Sequence, residues 1–198
     1  MNKINFNRYY SNDACYWRLK PSKIVVEILK YKKSGNVLDI GAGEGKNSIF
    51  LAKNGFNVTA VDVSKEAIKK LKEFALKENV KINILMEDII NFDFKEKYDI
   101  IISTAMLHFL RKEDIDKVIK SIKENTKEEG LNAITVFTEE NPNKNFPYLF
   151  KINELKEAYN DWEVIRYKEF ITPLEKHGEK GEWHSHEIAV IIVKKVSV

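Results

Sequence analysis

Between residues 36 and 138, apolar runs of strand length alternate with amphipathic stretches of helix length, and few folds accommodate that order. The runs are NVLDI (36–40), NVTAVDV (57–63), INILME (82–87), YDIIIST (98–104) and LNAITVFT (131–138), with helical patterns at 46–54, 65–78 and 113–125. Strand, helix, strand repeated in this way predicts a parallel sheet covered by helices on both faces. Right-handed crossovers then bring every strand-to-helix loop to the carboxyl edge, where open α/β sheets take their ligands. A further helix is expected to start near Pro21 and Ser22, with Ile24, Val25, Ile28 and Leu29 as its apolar stripe.

The tail departs from this pattern. After a helical segment at 152–160 come two more strand candidates, WEVIRYKEF (162–170) and HEIAVIIVKK (186–195), with no helix-length stretch between them. They are expected to pair as an antiparallel hairpin, giving seven strands in all. If the first of them runs parallel to the sheet, the connection ITPLEKHGEKGEWHS emerges at the carboxyl edge. The 198 residues read as a single domain, 1–198, large enough to bury roughly 70% of the unfolded chain's surface.

The first strand runs into LDIGAGEGKNS (38–48), with three glycines in five positions. Counted from Gly41 and Gly43, the third glycine of a dinucleotide-binding G-x-G-x-x-G falls on Lys46, which weighs against a nicotinamide dinucleotide. A P-loop needs a glycine where Ile40 stands and a hydroxyl residue where Asn47 stands. What is left is an acid, Asp39, followed by Gly41, Ala42, Gly43 and Gly45, whose small side chains are expected to leave backbone amides open to a ligand at a helix N-terminus. Asp62, with Val63 beside it, ends the second strand about twenty residues on, where a carboxylate can accept from both hydroxyls of a ribose. Asp88 and Ile89 follow the third strand, placed for the edge of an adenine ring. Taken singly, each has a plainer role: turn glycines, a helix cap at Asp62, a solvated Asp88.

Composition narrows the partners. Lys plus Arg number 33 against 30 Asp plus Glu, a net charge of +3, and the lysines alternate with glutamates as on solvated helix faces. No concentrated basic stripe argues for nucleic acid. The longest apolar run, IAVIIV (188–193), is far shorter than the roughly 20 residues of a membrane-spanning helix. The single cysteine, Cys15, cannot form an internal disulfide, and the first twenty residues lack the apolar core of a signal peptide, so a cytoplasmic location is expected.

Asp39, the glycine triplet, Asp62 and Asp88 stand at the carboxyl ends of successive strands, in the order used by class I S-adenosylmethionine-dependent methyltransferases. The sequence resembles that superfamily, and the tail hairpin is similar to its usual final strand pair. LDIGAGEGKNSIFLAKNGFNVTAVDVS, YDIIISTAMLHFL and NFPYLFKINELKEAYNDWEVIRYKE resemble, more narrowly, the tellurite-resistance (TehB) methyltransferase family from about residue 22 onward. The resemblance implies a Rossmann-like α/β fold, S-adenosylmethionine as cofactor, and transfer of its methyl group to a small-molecule acceptor, either a tellurite- or selenite-like oxyanion or a thiol. The alternatives are a small organic metabolite as acceptor and a cofactor-binding protein without transferase activity. In this frame Asp39, Gly41, Ala42, Gly43, Asp62, Val63, Asp88, Ile89 and Ser103 contact the cofactor. The aromatic N-terminal segment, residues 1–20, forms a lid in which Trp17 walls the methionine end and Arg18 pairs with its carboxylate. The chain is expected to act as a monomer or homodimer.

The chain has four histidines, His108 after the fourth strand and His177, His184 and His186 in the tail. Lys176, His177 and His184 are the candidates for the acceptor pocket, as cations or hydrogen-bonding groups around an oxyanion and as a proton acceptor. His184 and His186 alternate and are expected on one strand face, and His108 is expected to be a packed loop residue. No metal is expected: His184, His186 and Glu182 or Glu187 offer no clear fourth ligand. Tellurite-active members carry His-Arg and a later Arg in the hairpin, where this chain has Glu175-Lys176 and Trp183. Lysine presents a point charge rather than a bidentate fork, so the acceptor would be recognised differently.

Overall fold

The computed structural model describes residues 5–11, 19–176 and 182–197. A one-turn helix, α1 (Asn7–Tyr10), precedes α2 (Lys23–Ile28), and then comes the alternation: β1 (Asn36–Ile40), α3 (Lys46–Lys53), β2 (Asn57–Asp62), α4 (Lys65–Lys77), β3 (Asn83–Met86), β4 (Tyr98–Thr104), α5 (Lys112–Glu124) and β5 (Thr126–Phe137). A short α6 (Glu154–Glu157), β6 (Glu163–Ile171) and β7 (Glu187–Lys194) complete the chain. The seven strands form one sheet in the order β3-β2-β1-β4-β5-β7-β6. Pairings from β3 through β5 are parallel, and β7 is antiparallel to both its neighbours. β6 therefore runs with the main sheet, and its connection to β7 opens at the carboxyl edge as expected.

The two-residue period of the strands divides the core. Leu38, Ile40 and Ile101 face one side with Ile115, Val118 and Ile122 of α5, joined by Phe150, Leu155, Tyr159 and Trp162. Val37, Ile100 and Ile102 face the other with Ile24, Val25 and Ile28 of α2 and Leu51 of α3. Asp39, one pleat on from Val37, occupies a position on this second face that an apolar residue would otherwise fill.

Two elements differ from expectation. The helical segment at 152–160 contracts to the single turn of α6, because Asn153 ahead of it adopts φ 63° and the chain turns again by Asn160. β5 starts five residues early, at Thr126, and an irregularity in its register with β4 between Tyr98 and Ile100 absorbs the extra length. The outermost strands are β3, four residues long, and β6, which carries a bulge between Val164 and Arg166. Among the described residues, no helix is long and apolar enough to cross a membrane.

Candidate active site

The glycine loop is folded onto the strands it joins. Gly41 adopts φ 72°, and a Cβ there would lie 2.4 Å from Cγ of Met106, so only glycine lets the loop after β4 close over it. Gly45 adopts φ 89° as the residue before α3, and a Cβ there would lie 2.0 Å from Cδ1 of Leu71. The loop's own acid, Glu44, points inward to Lys70 of α4, 3.1 Å away, both side chains being buried.

The loop amides correct one expectation. They are not open to a ligand: Gly41 and Ala42 both donate to the Val61 carbonyl, Gly45 donates to the Ala42 carbonyl, and Gly43 donates to Oδ2 of Asp62 at 2.8 Å. With these four donors satisfied inside the fold, the amides of Gly41, Ala42, Gly43 and Gly45 form no phosphate cradle. It presents carboxylates instead.

Asp39 is buried, and Oδ2 accepts from the Ser48 hydroxyl at 2.6 Å. Among the described residues its Oδ1 has no hydrogen-bond partner. Burial pushes this carboxyl up to about 6, with the Asp62 charge adding to the rise and the Ser48 hydroxyl and Lys46 opposing it. Asp62 is not the cap of α4; that role falls to Ser64, whose hydroxyl accepts from the Ala67 amide. The Asp62 carboxylate is bridged by two amides, Gly43 on Oδ2 and Ser64 on Oδ1. Burial raises its pKa against those hydrogen bonds.

Asp88 follows β3, and its Oδ1 accepts from the Ile90 amide, starting the 3-10 turn that contains Ile89. Val63 is exposed beside Asp62. Ser103, at the end of β4, is buried with its hydroxyl lacking a partner among the described residues. The carboxyl ends of the adjacent strands β3, β2, β1 and β4 thus bring together Asp88, Ile89, Asp62, Val63, Asp39, Gly41, Ala42, Gly43 and Ser103.

Several contributors lay outside the sequence reading. Met106 seats on Gly41, as above. Asn47 accepts from the Ser22 amide at 2.9 Å and donates to the Thr104 hydroxyl at 2.8 Å, tying α2, α3 and β4 together beneath the loop. Asn7 of α1 accepts from the Ser64 hydroxyl at 2.8 Å, Phe6 packs edge-on against Phe109 at 5.1 Å, and the Tyr10 hydroxyl reaches to within 3.0 Å of where a Gly43 Cβ would stand. Residues 5–11 therefore lie across the carboxyl edge. Trp17, Arg18 and His177 lie outside the described residues.

Farther along that edge is an aromatic wall. His108 is buried as expected, stacked on Phe137 at 3.8 Å, and its Nδ1 accepts from the Phe137 amide at 3.2 Å. Burial pushes it down to about 3, with His186 adding to the effect. His186 stacks on Phe137 at 4.2 Å. Lys176 and His184 belong to the β6–β7 connection, whose strands lie four and three places from β1, or about 19 and 14 Å along the sheet. His184 and His186 do not share a strand: β7 begins at Glu187, and His184 forms an isolated bridge with Glu175. The acid gathered beside these two histidines is Glu175, not Glu182 or Glu187. The hairpin's antiparallel register, continued past Ile171↔Glu187, would set Glu175 opposite Trp183; a shift of one residue in the connection brings it opposite His184 instead.

Comparison with known proteins accords with this arrangement. The family model described as "Tellurite resistance protein TehB" matches residues 4–192. A protein of Haemophilus influenzae described as "Probable S-adenosyl-L-methionine-dependent methyltransferase TehB" is 36% identical over 174 residues, which are 86% of this chain and 61% of that one. The crystal structure of TehB from Haemophilus influenzae superposes with a TM-score of 0.78 at 33% identity, covering 98% of this chain and 66% of the other. A methyltransferase structure from Methanosarcina mazei, at 18% identity and a TM-score of 0.72, covers 90% of this chain and all of its own, and shows the shared fold. The chain thus spans under two thirds of the length of the Haemophilus relative.

Proposed function

The chain belongs to the TehB tellurite-resistance family, and from that premise we propose that it transfers the methyl group of S-adenosylmethionine to a small acceptor, an oxyanion of the tellurite or selenite kind or a thiol. The observation that carries the reading is Asp39: a buried carboxylate with one oxygen held by Ser48 and the other without a partner among the described residues. A buried anion of this kind fits a cationic group, and the methionine ammonium is one. A glycine loop with its amides spent internally fits the same ligand, which has no phosphate.

When bound, the cofactor supplies a methyl group on a positively charged sulfur that is already a good leaving group, so the chain's task is chiefly alignment. Asp39 accepts from the ammonium through Oδ1. Asp62, fixed by the Gly43 and Ser64 amides, keeps a second lone pair on each oxygen for the ribose hydroxyls. Val63 offers apolar surface beside the ribose, Asp88 and Ile89 meet the adenine edge, and the Ser103 hydroxyl supplies a further polar contact. Trp17 and Arg18 close the methionine end. Lys176, His177 and His184 hold the acceptor, with a neutral imidazole available to take its proton.

Calorimetric titration with S-adenosylmethionine and its demethylated product, repeated on Asp62→Ala, tests the cofactor reading. Micromolar binding lost in the variant is expected, since the lost carboxylate leaves two loop amides and the ribose diol unpaired. No binding by the unaltered chain overturns the proposal. Turnover with tellurite, selenite and thiols then identifies the acceptor; binding without turnover of these or of small organic metabolites would mark a cofactor-binding protein instead.

A further inference from the structure

The hairpin cluster, which shares His184 with the proposed acceptor pocket, carries a separate inference about metal binding. Ligand atoms of Glu175, His184 and His186, each side chain half-buried, lie within 4.8 Å of one another. Which ring nitrogen bears the proton follows from the partners. Nδ1 of His184 lies 2.8 Å from the Glu182 carbonyl, which can only accept, so Nδ1 is the protonated nitrogen and Nε2 carries the lone pair.

The same holds for His186. Its Nδ1 lies 3.2 Å from Oδ1 of Asn141. The orientation of that amide is fixed by two backbone partners: Nδ2 donates to the Asn143 carbonyl at 2.6 Å and Oδ1 accepts from the Glu187 amide at 3.1 Å. Nδ1 of His186 therefore donates, and its Nε2 lone pair faces Oε1 of Glu175 at 3.7 Å. Two imidazoles and a carboxylate thus gather at one end of the hairpin, a donor set of the kind that can hold a cation.

We propose that Glu175, His184 and His186 form a binding site for a divalent transition ion of the zinc class, with a coordination position left for water or a substrate atom. Two histidines and one carboxylate are a donor set used by zinc sites that keep an open position. Metal–ligand bonds of about 2.0–2.2 Å put tetrahedral donors about 3.4 Å apart, so the 3.7 Å pair is nearly in place and the third donor, within 4.8 Å of the others, closes in by at most about 1.4 Å. Each histidine already donates its other ring N–H to an oxygen, the outer-shell bond that orients metal-bound imidazole. The Phe137 stack holds the His186 ring in plane.

The test is titration of the tag-free, chelator-treated full chain with Co2+, followed by Zn2+ competition against a chromophoric chelator. The expected result is one equivalent of Co2+ with the intense visible bands of four- or five-coordination, displaced by Zn2+. Glu175→Gln, which keeps the side chain's shape, and His186→Ala should each weaken binding by about 100-fold or more, beyond the loss typical of outer-shell partners. Zn2+ should raise the melting temperature of the unaltered chain but not of Glu175→Gln. Only weak six-coordinate bands, or Zn2+ affinity unchanged in a Glu175→Gln variant whose metal-free melting is normal, overturns the proposal. Neither readout uses the cofactor, so it stands or falls separately from methyl transfer.

Discussion

Asp39 sets the pH behaviour of the site. Its folded pKa of about 6 lies above the ordinary 3.8, so the folded chain holds a proton that the unfolded chain gives up as pH rises between those values. Asp39 thus costs stability progressively across that window, by up to about 3 kcal/mol above it. Replacing it by Asn should stabilise the protein at pH 7 and have little effect at pH 4, which denaturant midpoints at the two pH values will read. His108 and His186 act in the opposite sense: both are depressed in the folded state, so their contribution is present at neutral pH and lost as pH falls from about 6.5 toward 4 for His186 and toward 3 for His108. The Asp39 effect must therefore be taken as a difference between variant and parent. An ammonium accepted by Asp39 needs the ionised carboxylate. Affinity for S-adenosylmethionine should consequently rise about tenfold per pH unit below pH 6 and level off above it, a profile that calorimetry across that range will check.

At the scale of elements, the glycine loop and α3 depend on space that only a missing side chain provides. Gly45→Ala would combine a left-handed backbone with a Cβ 2.0 Å from Leu71, and should cost about 2–5 kcal/mol of stability, measurable by urea denaturation. The strands were legible because parallel strands buried on both faces read as continuous apolar runs, as YDIIIST does. Asp39, Asp62 and Asp88 were legible because each interrupts or ends such a run. Less was legible where local composition and pairing disagree. KINELKEAY has a helical pattern, yet Asn153 in the left-handed region and the turn by Asn160 leave one turn of α6. Glycine content could not tell that the loop amides are spent on Val61, Ala42 and Asp62, since that depends on where β2 ends beside β1. Glu175 and Asn141 lie some ten and forty-five residues from the histidines they serve, and only the β5–β7–β6 pairing assembles them.

For the molecule as a whole, a ligand seated across the ends of four strands, with residues 5–11 laid over the same edge, should stabilise the fold as a unit. At a hundredfold excess over its dissociation constant the cofactor contributes about 2.7 kcal/mol, or about 5–10 °C in melting temperature for a chain of this size. Nicotinamide dinucleotide should produce no shift. Limited proteolysis should in parallel show slower cleavage of the N-terminal segment once cofactor is bound, with Asn7→Ala reducing that protection because the Asn7–Ser64 bond is lost. The sheet's two open margins have a further consequence. An unpaired strand edge is a template on which another chain can add. β3 offers only four residues. β6 is long, but its bulge breaks the ladder and Glu163, Arg166, Lys168 and Glu169 put charge along it. How concentrated a solution of this protein can become before it aggregates is therefore governed by the outermost strand β6: replacing Lys168, which is exposed on it, by threonine should leave melting nearly unchanged while light scattering reports self-association.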